Sequence, residues 1–475
     1  MSRKFIHDIS SNSLQVIINQ VCGFAIFYVL SVYFSKNDFG EINWSLAILL
    51  TVFSILSLGI DQLIVKKIAA HEDPKLMFSV YRFHVILAGS LFYAFLLIAY
   101  FMNPSLFQKH YLLLFLGIGK LMIFFASPFK QLANGLEKFK ALFFMSVCSS
   151  LVRGTALIIL AFFSQLNLAA VIVIFIVGDF AELILSAFIS KKYLKIPFSI
   201  SWSKSIYFNL LKESLPQAGV VIFTSAIARF DWIFLGILAS DIALADYSFA
   251  FKVFEVATLP LLVIAPVLIP RFTKIFHAKE STGSEKIKDL FVLLKLEIII
   301  ASFVALLLNI LWIPVIDYIT HGKYGAVNRY TILILSASMP FIYINNFLWT
   351  INFSKGRLKI IFYIFFITFL VNVLGNVFLI PSFSAEGAAL AYLAAITVQF
   401  ILFIVKTPVA GFKKNILPFL LAPVVAIAAG SLSIHTFDNL ALILFLSIFI
   451  FFFLLLFTKV LRKSDWLVFK KITGI

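Results

Sequence analysis

Lysine and arginine recur in every second gap between long apolar runs, and that alternation decides what the chain can become. About fourteen runs have membrane-spanning length, since a bilayer core of roughly 30 Å needs about 20 apolar residues per helix. Of the 39 Lys and Arg residues, 31 lie at the N-terminus, in or beside the even-numbered gaps, or at the C-terminus. Only Lys36, Lys109, Lys323 and Arg329 border odd-numbered gaps, while Lys120, Arg153, Arg229 and Lys252 sit deep inside apolar runs. Cytoplasmic loops are enriched in Lys and Arg, so the alternation predicts an even number of spans with both termini cytoplasmic.

Composition agrees. Of 475 residues, 62% are hydrophobic and 13% charged, with a mean hydropathy of +1.05; a soluble domain carries about twice that share of charge. Spans are predicted near 12–34, 40–64, 79–101, 111–132, 142–164, 168–190, 214–238, 244–270, 290–316, 327–349, 358–380, 384–406, 414–434 and 440–460. The shortest turns, Gln165 to Leu168 and Ser240 to Ala243, must both exist, because removing either inverts every later gap. The net charge of +17 is spread over all the cytoplasmic segments. It orients the chain and touches anionic headgroups, and it argues for no nucleic-acid partner.

Cys22 and Cys148 fall within spans and form no disulfide framework or metal spacing. The apolar run from Leu14 to Phe34 is too long for a signal-peptide core and reads as an uncleaved first span. Outer loops such as Ser35–Phe39, Asn103–His110 and His435–Asn439 are short. The segment SKSIYFNLLKES and the tail with Trp466, Leu467, Phe469, Lys470 and Lys471 read as amphipathic stretches at the inner surface. No Walker, Ser-His-Asp or metal-ligand spacing occurs, so neither an ATP site nor a catalytic constellation is expected.

A weak repeat links spans 1–2 with spans 7–8. The even offset of six gives both halves one orientation, the arrangement of a parallel repeat with a site between halves. The predicted fold class is therefore all-α and polytopic. It comprises an N-terminal six-helix lobe (1–190), a cytoplasmic linker with an amphipathic segment (191–213), a C-terminal six-helix lobe (214–406), and two further helices with a tail (407–475).

Phe39-Gly40-Glu41, Leu58-Gly59-Ile60 and Lys66-Lys67 in the first half carry a family resemblance. So do Leu215-Pro216, Arg229-Phe230-Asp231, Ala245-Asp246-Tyr247 and Leu268-Ile269-Pro270-Arg271 in the second. Through these the chain resembles the polysaccharide-export branch of the multidrug/oligosaccharidyl-lipid/polysaccharide exporter superfamily, the Wzx-type flippases. Asp246 stands where the common form has Gly. The resemblance implies a MATE-like fold in a bacterial inner membrane and alternating access. It implies a polyprenyl-diphosphate-linked oligosaccharide as cargo, membrane lipids around it and polysaccharide-assembly proteins as partners. Rivals are a lipid II flippase, a multidrug–cation antiporter and, in another class, a membrane glycan polymerase or ligase. The last needs outer-face chemistry, and long outer loops are missing.

Eight ionisable residues lie well inside spans. Lys120, Arg153, Arg229 and Lys252 are the expected cargo-binding cations, suited to charge-assisted bonds with a diphosphate. Asp179, Glu182, Asp231 and Glu255 are the expected charge-balancing or ion-coupling acids. No cofactor is expected; the open coupling choices are H+ and Na+. The competing reading is purely structural ion pairing. Arg153 and Asp179 are equidistant from the turn near residue 166 and share a depth; Asp231 and Lys252 are level about the turn near residue 241. Asp179 with Glu182, and Lys252 with Glu255, share helix faces. Lys120 has no level partner in its own hairpin and reads as the unpaired cation. Pro260, Pro266 and Pro270 mark span 8 as a moving part. Asn309, Asn345, Asn346, Asn372 and Asn376 read as helix–helix hydrogen-bonding groups, with sugar contact the alternative.

Overall fold

The structure is a computed structural model, and it describes residues 3–195, 203–261, 283–407, 420–436, 439–462 and 465. Helices dominate, because a backbone in hydrocarbon must satisfy its own hydrogen bonds. The chain is a multi-pass membrane protein. Among the described residues ten helices are long and apolar enough to cross a bilayer, and Ile17–Tyr33 and Leu421–Ser433 are shorter apolar helices. Two compact units divide the chain, Met1–Ser248 and Phe249–Ile475.

The first unit holds α1 (Arg3–Tyr33), α2 (Lys36–Leu56), α3 (Ile60–Ala69), α4 (Pro74–Met102), α5 (Pro104–Lys109), α6 (Tyr111–Gly135), α7 (Phe139–Phe162), α8 (Leu168–Lys192) and α9 (Lys204–Leu238). The unit boundary falls inside α10 (Asp241–Ala257). Both short turns expected from the charge pattern are present. Asn167 Oδ1 caps α8 by accepting from Ala170 N at 2.9 Å, and Ser240 Oγ accepts from Ala243 N at 3.1 Å. Such polar caps satisfy orphan donors at a helix start.

The second predicted span is not one helix. Leu58 (φ 50°) and Gly59 (φ 68°) separate α2 from α3. A methyl on Gly59 would stand 2.9 Å from the Ala218 backbone nitrogen, so both the left-handed conformation and the close approach of α9 require glycine there. The segment containing SKSIYFNLLKES is likewise no separate surface helix. It runs unbroken into α9, and Tyr207 packs on α4, its hydroxyl 3.1 Å from His84 Nδ1. A hydrogen-bonding partner on α4 holds that face against protein, where the amphipathic pattern alone had suggested headgroups.

The second unit holds α11 (Gly283–Thr320), α12 (Arg329–Ala337), α13 (Met339–Ser354), α14 (Leu358–Lys406), α15 (Leu421–Thr436) and α16 (Leu440–Phe457). Its core gathers Leu294, Ile298, Phe347, Ile364, Phe403 and Phe451 from four of these helices. Although α14 is 49 residues long, Ser384 interrupts it with φ 48° and ψ −122°. A methyl on Gly375 would lie 2.9 Å from Ala391 Cβ, and one on Gly387 would lie 2.9 Å from Ile380 N. These paired approaches place residues equidistant from about 383 side by side, so α14 is two antiparallel arms, as the predicted split at 380–384 requires. Along α16, Phe445, Phe449, Phe453 and Phe457 are exposed and stacked at successive i, i+4 spacings of 6.0–6.5 Å. That apolar ladder suits contact with lipid. Pro266, Pro270 and Arg271, and Trp466 to Lys471 in the tail, lie outside the described residues.

Candidate functional site

Three helices of the first unit, α6, α7 and α8, bring together four of the eight ionisable residues of the apolar runs: Lys120, Arg153, Asp179 and Glu182. Asp179 is fully buried and meets two cations: Lys120 Nζ donates to its Oδ2 at 2.8 Å, and Arg153 Nη1 lies 3.1 Å from its Oδ1. Arg153 also donates from Nη2 to Ser149 Oγ at 3.2 Å. Ser149 Oγ donates in turn to Glu182, whose Oε1 accepts from Lys130 Nζ at 2.6 Å. The result is one continuous polar chain, Lys120–Asp179–Arg153–Ser149–Glu182–Lys130. Since Lys120 and Lys130 are ten residues apart on α6, it extends about 15 Å along that helix.

Glycine makes this approach feasible. A methyl on Gly119 would stand 2.7 Å from Asp179 Oδ2, and one on Gly178 would stand 2.6 Å from Arg153 Cγ. The residue before each of Lys120 and Asp179 is therefore the one that lets the helices close. Phe175, one turn before Asp179, floors the site: Lys120 Nζ is 5.4 Å and the Arg153 guanidinium 5.1 Å from its ring centroid. Cations over an aromatic face gain quadrupole attraction that strengthens when water is excluded.

The level match of Arg153 and Asp179 is realised as an ion pair. Lys120, expected to be unpaired, is not: its partner Asp179 comes from α8, a helix outside its own hairpin, which hairpin arithmetic does not examine. Lys130, Ser149, Phe175 and the two glycines escaped the sequence reading. By sequence Lys130 borders the basic gap beyond α6, but its long side chain reaches back to Glu182 and keeps only 19% exposure, the behaviour of an amphipathic stem near an interface.

Arg229 is the cation with no carboxylate within ion-pair distance among the described residues. Its guanidinium lies 4.7 Å from the Trp232 ring centroid. Asp231 is fully buried and instead accepts from Tyr247 Oη at 2.5 Å and from the Trp232 backbone N–H at 2.9 Å. In the second unit Lys252 bonds Glu255 on its own helix at 2.7 Å, and both remain partly exposed. Of the amides within spans, Asn345 donates to Ile396 O and Gln399 Oε1 at 3.0 Å, and Asn309 to Ser336 Oγ at 2.7 Å. Asn376 donates to Asn372 Oδ1 at 3.2 Å. These four act between or along helices.

The short motifs fold into packing contacts. Gly40 backs onto the Asp241 backbone, and Glu41 pairs with His110 at 3.0 Å. Asp246 pairs with Lys36 at 2.6 Å, a use for the carboxylate that stands in place of glycine.

The sequence profile described as "Polysaccharide biosynthesis protein" matches residues 5–276. No curated protein matches the chain. Among solved structures, "Lipid II flippase MurJ, inward closed conformation" superposes with a TM-score of 0.73 at 14% identity, covering 94% of this chain and 98% of that one. An inward-facing multidrug resistance MATE family transporter of the MOP superfamily gives 0.65 at 11% identity, covering 86% and 98%. A MOP superfamily transporter from Pyrococcus furiosus, titled for the reverse polarity of its binding pocket, gives 0.58 at 13% identity, covering 87% and 95%. At these identities the likeness is one of fold.

Proposed function

Because the chain belongs to the polysaccharide biosynthesis protein family, we propose that it is a flippase that moves a polyprenyl-diphosphate-linked oligosaccharide from the cytoplasmic to the outer leaflet of a bacterial inner membrane. The observation that carries this reading is the charge of the α6–α8 cluster. Three cations, Lys120, Lys130 and Arg153, face two carboxylates, Asp179 and Glu182, within apolar helices. The surplus cation suits a diphosphate, which otherwise carries negative charge unpaired across a low-dielectric zone. Arg153 and Lys130 keep 12% and 19% side-chain exposure against 6% for Lys120. They are thus the groups that meet cargo, while Lys120 holds Asp179 in place. Arg229 adds a further cation that no carboxylate among the described residues pairs with, beside an indole suited to a sugar face. Lys252 stands in the same proposed role in the second unit, balanced by Glu255. A cationic drug is disfavoured by the same surplus, which speaks against a multidrug antiporter.

The rival reading is lipid II transport, favoured by the fold match to MurJ over 94% of the chain. Both cargoes share the diphosphate. Reconstituted protein offered fluorescent polyprenyl-diphosphate oligosaccharide and fluorescent lipid II, each quenched from outside, separates them. Translocation of the oligosaccharide alone supports the proposal. Translocation of lipid II alone installs the rival, and movement of neither removes the flippase reading.

A further inference from the structure

Glu297 is 97% buried, and neither carboxylate oxygen has a hydrogen-bond partner among the described residues. It lies on α11 within the membrane-spanning stretch Phe291–Thr320, six residues or about 9 Å from the start of that stretch. Leu294 and Ile298, beside it on the helix, are completely buried in the apolar core of the second unit. An ionised carboxylate there would be an anion without donor or counter-ion, which burial strongly disfavours.

The surrounding charges do not relieve it. Lys295, two residues away on the same helix, is engaged at 2.5 Å by Asp465. Of the helices packed on α11, α13 carries Tyr343 as its one titratable group, within electrostatic range of Glu297. The titratable groups of α12 are Arg329 and Tyr330 in its first turn; α15 has His435 in its last turn, and α16 has none. The described residues contain no cluster of three or more His, Cys, Asp or Glu suited to a metal ion.

We propose that Glu297 is a proton-binding site of the second unit, neutral in this conformation and ionised in another that wets it. A group whose protonation differs between two conformations ties their equilibrium to proton concentration on the side it opens to. A transporter that takes this proton from outside and releases it inside gains a driving force for outward cargo. The transport half of the inference rests on the flippase reading; the titration half does not.

Infrared difference spectra of the full-length protein in proteoliposomes, wild type against Glu297→Gln, test the titration directly. The amide mimics the neutral acid in shape and charge, so the variant keeps its fold. A protonated-carboxyl band at neutral pH that is missing in the variant, and that fades at alkaline pH, is the expected result. Its absence from the wild type at neutral pH overturns the proposal, as does its loss on adding sodium at constant pH, which marks a metal-ion site. Wild-type protein treated with an apolar carbodiimide gives a readout that needs no variant. Peptide mapping should find Glu297 modified at neutral pH and less so as pH rises, and an unmodified Glu297 at all pH values counts against the idea. In cargo assays Glu297→Gln should lose the stimulation by an inward proton gradient while exchange without a gradient persists. Stimulation equal to wild type refutes coupling at this residue. A wild type that moves no cargo under any gradient refutes the flippase reading and leaves the spectroscopic result standing.

Discussion

Lys120 on α6 and Arg153 on α7 both pair with Asp179, Lys120 Nζ 2.8 Å from its Oδ2 and Arg153 Nη1 3.1 Å from its Oδ1. One buried acid thus neutralises two helices' cations, and its loss is not equivalent to the loss of either partner.

Replacing Asp179 with Asn should therefore be the most damaging change in the cluster. Two buried cations would face each other without an anion, at a cost of about 3–5 kcal/mol. We expect little folded protein in the membrane, measured by detergent-solubilised fluorescence chromatography. Adding Lys120→Met to Asp179→Asn should restore much of that abundance, since removing both charges spares the desolvation penalty. No recovery in the double variant would show that the pair is not the source of the loss.

A charge exchange, Arg153→Asp with Asp179→Arg, should not restore stability, although the two residues are level. The new arginine would confront Lys120 and would have to fit where a single methyl on Gly119 already comes within 2.7 Å of the carboxylate. Abundance equal to wild type would contradict this placement of Lys120.

Gly119→Ala tests the packing alone. Overpacking a close helix contact costs about 1–3 kcal/mol, and the methyl here is directed at Asp179 Oδ2 and at the Phe175 carbonyl. The melting temperature should fall, whereas the same change at Gly23, which has open space around it, should raise stability by what helix propensity dictates, up to about 1 kcal/mol.

Arg229→Ala should behave in the opposite way to Asp179→Asn. Among the described residues it leaves no carboxylate stripped of an ion pair, because Asp231 keeps Tyr247 and the Trp232 N–H. Normal abundance with loss of cargo translocation is expected, measured in the same vesicles. Translocation at the wild-type rate would remove Arg229 from the binding group.

Cysteines placed at Asn37, Ser105 and Ser382 should react with an impermeant thiol reagent added outside intact cells, and ones at Ser203, Ser281 and Ser354 should not. The basis is the alternation of basic gaps. Outside labelling at Ser354 would reverse the assigned orientation of α13 and α14.

The helices and their short turns were legible because each depends on neighbours in sequence: apolar run length, a cap such as Asn167, a basic gap. The Arg153–Asp179 pair was legible for the same reason, since a tight turn makes depth a matter of counting. Contacts between helices that are not consecutive carry no such arithmetic. Lys120 finds Asp179 across from α6 to α8, and the only sequence trace of that approach is a glycine immediately before each residue. Glu297 is not legible in the sequence because it sits two residues from Lys295 near the edge of its run, where a charged pair resembles an ordinary span boundary. The break at Leu58–Gly59 was hidden by unbroken hydrophobicity, which reports burial and says nothing of φ.

The seam between the two arms of α14 has a mechanical consequence. At Gly375 against Ala391 and at Gly387 against the 379–380 backbone, both close to the turn at Ser384, no side-chain layer separates the arms. A side chain larger than glycine at 375 or 387 would therefore have to wedge the arms apart from the turn outward, as a shim opens a clamp.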